Sequence, residues 1–345
     1  MQDLASPPVD RKRQRGDGRR RKKEKNVSLS ARPPFLNLPS HSLSQGAGIG
    51  VYPPVVPYPA ASTFTADGAY PLSTIVHGSP GALAAALVAQ VKAAAAEAIT
   101  ARGAFALAVS GGSVHSLLSA LAKEAGPDAG KWTVVLADER AVPASSPHCN
   151  TAVAAGAWVY AARVGSLLPP TPADAALAAD ATRAAQAAAG ALLAAPRAAL
   201  PLAPHAGDGS ALLPAFDLVI LGIGDDGHVA GLFPNHPALA AAPSAPWVLP
   251  ITRPSPTPPH VPRWTLSLPV LNAAKKAIIV AAGPHKASAV ARSLETQALP
   301  GSAPAQLLRP AGGVTWMVDA DAGSQLVFKW GDAKTWPRND VGGGK

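Results

Sequence analysis

From Phe105 onward the chain repeats one pattern: short runs dominated by apolar residues, each ending in glycines or charges, with helix-forming stretches between them. AFALAVSGG, KWTVVLADER, FDLVILGIG, WVLPIT, RWTLSLPV, KAIIVAAG and GGVTWMVD each read as a strand. A strand that is apolar on consecutive positions, rather than on alternate ones, is buried on both faces. That condition is met by a sheet covered with helices on each side, and the intervening segments supply them. SPGALAAALVAQVKAAAAEAIT has a Ser-Pro start and strong helix formers. Ser113 to about Ala125, the Ala-rich stretch 173–195 and PHKASAVARSLE read as further helices, and a Pro-containing loop follows the Ala-rich stretch as far as Leu213. The fold class expected is α/β, with a mainly parallel sheet flanked by helices on both faces.

The first 70 residues are of another kind. Residues 1–25 hold ten Lys or Arg against four acids, whereas the remaining 320 hold 20 against 17, so the formal charge of +9 belongs mostly to this segment. The basic run RKRQRGDGRRRKKEK and the Pro/Ser/Gly-rich stretch after it carry no periodicity and are expected to be disordered or a targeting segment. A nuclear-localisation or nucleic-acid patch, or an organellar leader, fits this composition: residues 26–66 contain no acid and six serines, yet only one Arg. Chloroplast and cytoplasm both stay open. The folded body, 71–335, is close to neutral, so no nucleic-acid partner is expected for it, and 336–345 reads as a flexible tail. Charges or prolines interrupt every Ala-rich stretch, so no membrane span is expected. With one cysteine, Cys149, no internal disulfide can form.

In a parallel sheet the ligand sits beyond the carboxyl ends of the strands, where chain order reverses. Three strand ends carry suitable residues. Ser110-Gly111-Gly112 stands between a strand and a helix, where main-chain N–H groups can face an anion; the same glycines also serve a tight turn for steric reasons alone. Asp138-Glu139-Arg140 fits either a guanidinium that grips a phosphate, held by its acids, or a structural ion pair. The third, GIGDDGHVAGLFP, is the most informative. Gly222, Gly224 and Gly227 allow close backbone approach, His228 offers a ring that titrates near neutrality, and Asp226 is near enough to orient it. His228 and His236 have no metal-ligand spacing, so no metal is expected.

Taken together, SGGS, WTVVLADERAVP with SPHCN, FDLVILGIGDDGHVAGLFP, RWTLSLPVLNAAKKAIIVAAGPHKASAV and GGVTWMVD resemble, in order and spacing, the 6-phosphogluconolactonase family from about Pro71 to Lys329. The resemblance implies a Rossmann-like α/β fold and hydrolysis of 6-phosphoglucono-δ-lactone in the oxidative pentose phosphate pathway, without cofactor or metal. It implies His228 as general base on water with Asp226 behind it. Arg140, Arg263 and Lys286 would face the phosphate or the developing charge, and Ser110 to Gly112, Gly224 and Gly227 would line the pocket. Asp138 and Asn150 would fix hydroxyls or loop geometry. Asp225, Gly231, Val114-His115 and His285 depart from the family's usual Pro, Ser, Thr-Pro and Gly. A glucosamine-6-phosphate deaminase would carry a Glu after the Asp-Gly-His element, where this chain reads LFP. A non-catalytic sugar-phosphate sensor would carry a helix-turn-helix ahead of the domain, and the sequence of residues 1–70 offers no amphipathic helix pair for one. The expected partner is the small-molecule lactone, and the expected state a monomer.

Overall fold

A computed structural model of the chain describes residues 72–169, 180–205, 209, 211–252, 258–295 and 301–327. The basic segment, the C-terminal tail and positions 173–179 of the Ala-rich helix lie outside the described residues.

The elements follow in chain order. They are β1 (Leu72–His77), α1 (Pro80–Arg102), β2 (Phe105–Val109), β3 (Trp132–Leu136), β4 (Asp138–Arg140), α2 (Asn150–Ala154), β5 (Ser166–Leu168) and α3 (Ala181–Ala194). Then come β6 (Leu202–Pro204), β7 (Leu212–Pro214), β8 (Leu218–Gly222), β9 (Val248–Ile251), β10 (Arg263–Leu266), α4 (Leu268–Asn272), β11 (Lys276–Ala281), α5 (Ala287–Glu295) and β12 (Val314–Asp319). Seven strands form the main sheet in the order β1-β12-β11-β8-β2-β3-β5, and every pairing in it is parallel. Along β2 the side chains alternate between two cores: Phe105, Leu107 and Val109 pack with α1, while Ala106 and Ala108 pack on the side of α3 and α5. That division explains why the strand is apolar without interruption.

Helix α1 is bounded by its own sequence. The Ser79 hydroxyl accepts from the N–H of Ala82, Pro80 occupies the first turn, and Gly103 closes the helix in the left-handed region at φ 80°. It is long and apolar enough to cross a bilayer by length and composition, and Leu83, Leu87, Val88, Val91, Ala95 and Ala98 are buried.

Four sequence expectations are corrected. KWTVVLADER is not one strand: β3 ends at Leu136, and β4 joins β10 and β9 in a separate antiparallel sheet of order β4-β10-β9. WVLPIT and RWTLSLPV therefore also leave the parallel sheet. The junction is one residue, Ala137, whose N–H donates to Val109 O in the main sheet and whose carbonyl accepts from Leu266 N in the small one, both at 2.8 Å. The helix expected from Ser113 to Ala125 is broken into two single turns, Val114–Leu117 and Leu121–Glu124. The loop toward Leu213 contains a two-stranded antiparallel pair, β6 with β7.

Chain order reverses beside β2. The chain moves from β2 outward to β3 and β5, then returns to place β8 on the opposite side of β2. The crevice between the carboxyl ends of β2 and β8 is the ligand position for a sheet of this kind. Its two banks are Ser110–Gly112 and the turn after Gly222.

Candidate active site

The turn after β8 folds back on itself. Gly224 N donates to His228 O at 2.8 Å, Gly227 N donates to Gly224 O at 2.9 Å, and Gly227 takes φ +95°. This closure brings the Asp226 carboxylate onto the His228 ring: Nδ1 lies 2.6 Å from Oδ1, and the His228 main-chain N–H donates to the same oxygen at 3.1 Å. Burial alone would raise the Asp226 carboxyl, but its hydrogen bonds from His228 and that ring's charge outweigh it and hold it below the usual carboxylate value. An ionised Asp226 accepts the Nδ1 proton and leaves Nε2 as the basic nitrogen. Gly224 has no alternative residue here, since a Cβ at that position would overlap His228 Nδ1 and Asp226 Oδ1.

The opposite bank is tied on by Ser110, whose hydroxyl accepts from Gly222 N at 2.9 Å. A Cβ on Gly111 would overlap the Asn150 side chain, and Gly112 lies at φ +73°. Ser110, Gly111 and Gly112 thus meet Asn150, and through it the small sheet.

That sheet supplies the cations. Arg263 stands directly across from Arg140 in the antiparallel β10–β4 register, and Thr265 across from Asp138. Directly opposed residues share a face, so two guanidinium groups project side by side, an arrangement that like charges disfavour unless an anion lies between them. Each arginine has its own restraint. Arg140 Nη1 donates to Asn150 Oδ1 and, at 3.3 Å, to His148 O; Asn150 Nδ2 in turn donates to Asp138 O at 2.9 Å. Arg263, 2% exposed, has Nη1 3.6 Å from Asp138 Oδ2 and its guanidinium carbon 5.2 Å from the centre of the Phe233 ring. Burial pulls the Arg263 pKa down, and the charge of Asp138 opposes that pull. Phe233 also packs on His228, ring centres 4.8 Å apart, and so bridges the His–Asp pair to the arginines. Among the described residues, Asp226 Oδ2, Arg140 Nε and Arg263 Nε are buried without a hydrogen-bond partner. Three charged groups with spare capacity around one crevice are what a polar ligand would satisfy.

Lys286 pairs with the turn instead, with Nζ 2.7 Å from Asp225 Oδ1. Asp138, Arg140, Asn150, Arg263, Ser110–Gly112, Gly224, Gly227, Asp226 and His228 thus form one connected set. Lys286 joins it through the turn. Among the described residues no group of three or more His, Cys, Asp or Glu side chains is placed to hold a metal ion.

Some residues carry roles that sequence reasoning did not give them. Glu139, alternating to the other face from Arg140, takes main-chain N–H groups of Arg140, Asn150 and Thr151 at 2.7 to 2.8 Å, and so fixes the start of α2 rather than a guanidinium or a ligand hydroxyl. Burial raises its carboxyl pKa, and those hydrogen bonds work against the rise. In the sequence Phe233 stands out only as part of the GIGDDGHVAGLFP motif. Its place between two functional groups is a tertiary fact without a local signal. At Gly231 the structure accounts for the missing side chain: a Cβ there would come within 2.8 Å of Thr265 Cβ, and the Thr265 hydroxyl already accepts from Gly231 N at 3.1 Å.

His115, three residues past the SGG turn, is 1% exposed, and its Nδ1 accepts from Trp158 Nε1 at 3.4 Å. Burial, helped by Arg140 and opposed by Asp138, pulls its pKa from 6.5 to about 4. The unfolded chain therefore takes up a proton below pH 6.5 that the native ring refuses until about pH 4. Stability should fall as pH drops through that window, by about 3 kcal/mol in all. Denaturant titrations from pH 7 to pH 4 on wild type and His115→Gln should diverge by that amount; parallel curves would show that the ring does not titrate this way.

An α/β chain with a His–Asp pair and two opposed arginines at the switch point of a parallel sheet is of the class that handles a small anionic ligand. Comparison with known proteins agrees. The family described as glucosamine-6-phosphate isomerases/6-phosphogluconolactonase matches residues 78–317. The 6-phosphogluconolactonase of Rattus norvegicus is 38% identical over 268 residues, covering 73% of this chain and 92% of its own length. That of Synechocystis is 34% identical over 232 residues, covering 67% and 88%. The solved 6-phosphogluconolactonase of Trypanosoma brucei superposes with a TM-score of 0.62 at 26% identity, over 75% of this chain and all of that one. The chain belongs to the 6-phosphogluconolactonase family.

Proposed function

We propose that this chain hydrolyses 6-phospho-D-glucono-1,5-lactone to 6-phospho-D-gluconate, a step of the oxidative pentose phosphate pathway, by general-base catalysis. The observation that carries this reading is the 2.6 Å contact between His228 Nδ1 and Asp226 Oδ1 in a crevice whose far wall is an opposed arginine pair. His228 Nε2 takes a proton from water as the water oxygen bonds to the lactone carbonyl carbon. The resulting imidazolium, stabilised by Asp226, then gives that proton to the ring oxygen as the carbon–oxygen ester bond breaks. The carboxylic acid so formed ionises at neutral pH. A lactone is an activated ester, so a positioned base with electrostatic stabilisation of the oxyanion suffices, and no covalent nucleophile is required.

Arg140 and Arg263 take the phosphate between them, since two adjacent guanidinium groups match its geometry and relieve their own repulsion. Asp138 and Asn150 act on the arginines: one lies beside Arg263 and the other holds Arg140, which favours a positioning role over contact with sugar hydroxyls. The N–H groups of Gly111 and Gly112 line the sugar-phosphate side, and Lys286 lies at the rim. A deaminase role is disfavoured by the sequence after His228, which reads LFP and lacks the Glu that a deaminase would carry there.

The test is direct. Freshly generated lactone should be hydrolysed well above its spontaneous rate, with the rate unaffected by excess chelator. Turnover at the background rate would defeat the proposal.

A further inference from the structure

Asp225 lies at the tip of the catalytic turn, and the mechanism above gives it no task. Its carboxylate is 2.7 Å from Lys286 Nζ, with the Lys286 side chain 17% exposed and that of Asp225 61%. Its main-chain carbonyl accepts from Arg292 Nη2 at 3.0 Å, and Arg292 Nη1 donates to Ser288 Oγ at 2.8 Å. Lys286 is anchored from behind as well. Both carboxylate oxygens of buried Asp319 accept from Gly283 N at 3.0 Å, and Gly283 O accepts from Lys286 N at 3.1 Å. Both members of the ion pair are thus fixed by the backbone, one residue away from Asp226. The ammonium beside the site is already neutralised.

For a site that binds an anion, neutralising a cation at its rim lowers affinity, so the arrangement calls for a reason. Hydrolysis supplies one. The lactone is charged only at its phosphate, whereas the product carries a second anionic group, the carboxylate formed at the carbon that His228 serves. Any repulsion between Asp225 and the phosphate acts alike on substrate and product and cancels in their ratio. Repulsion from the new carboxylate, and the loss of Lys286 as its partner, act on the product alone.

We infer that Asp225 is a product-release residue: by pairing with Lys286 on the His228 turn it weakens binding of the phosphogluconate product more than binding of the lactone. The inference rests on the lactone-hydrolysis reading above. The experiment compares the inhibition constant of 6-phosphogluconate with KM for the lactone in wild type, Asp225→Asn, Asp225→Glu and Lys286→Gln. Asp225→Asn should lower the inhibition constant about three- to fivefold, the scale of a partly exposed ion pair, while KM falls by less than about twofold. Asp225→Glu should keep the wild-type ratio. The effect of Asp225→Asn should shrink in the Lys286→Gln background and at raised ionic strength. If Asp225→Asn does not fold, Asp225→Ser removes the same charge and is held to the same ratio. An unchanged ratio of inhibition constant to KM, with lactone still turned over, removes the role of Asp225 and leaves the proposed activity standing. A wild-type chain that hydrolyses no lactone removes both.

Discussion

His228→Ala should lower the rate of lactone hydrolysis by about 10²- to 10⁴-fold, the range that a positioned general base supplies. The ring is partly exposed, at 19%, so the variant should melt close to wild type. Asp226→Asn should give a loss of the same order, because an amide there can donate to Nδ1 and leave the proton on Nε2, besides removing the negative partner that stabilises the imidazolium. Steady-state rates corrected for spontaneous hydrolysis decide the matter. A His228→Ala enzyme within threefold of wild type would falsify the assignment of the base.

Arg263→Met should raise KM about ten- to a hundredfold, since a charge-assisted hydrogen bond to phosphate is worth about 1.5 to 3 kcal/mol. A second readout separates binding from folding. In the wild type, inorganic phosphate placed between the opposed guanidinium groups should raise the melting midpoint with concentration, by mass action. In Arg263→Met that dependence should be lost even if the midpoint without phosphate also drops because Asp138 loses its neighbour. Equal phosphate responses in the two proteins would remove the arginine pair from the binding site.

The layout of the parallel sheet was legible because burial on two faces leaves a direct imprint: β2, β3, β8, β11 and β12 are apolar on consecutive positions. Elements without that imprint were missed. β1 lies at an edge, with only Thr74 fully buried, and β5 is a three-residue edge strand that opens on an exposed Ser166. The site was legible where its parts are neighbours in sequence, as His228 and Asp226 are. It was not legible where function depends on strand pairing. Nothing local to Arg140 reveals that Arg263, far along the chain, stands across from it. For the same reason Asp225 read as an unexplained charge: its counter-ion is Lys286, 61 positions away. The Ser113–Ala125 helix failed for another reason. Its apolar positions do recur, but the pattern records burial and cannot report that the backbone breaks between two turns.

Ala137 links two sheets with its two main-chain polar groups, its N–H bonded into the main sheet and its carbonyl into the small one. A junction of one residue leaves no slack, so the reach from the histidine turn to the arginine wall is set by backbone connectivity and is indifferent to side-chain choice. It also sets a parity. Inserting one residue at that point, with the strand positions themselves held in place, would slide the β4 residues by one along β10 and set Glu139 across from Arg263 where Arg140 now stands. One extra position in this linker would therefore exchange the opposed pair of guanidinium groups for a guanidinium facing a carboxylate, and the proposed phosphate site would lose half of its charge.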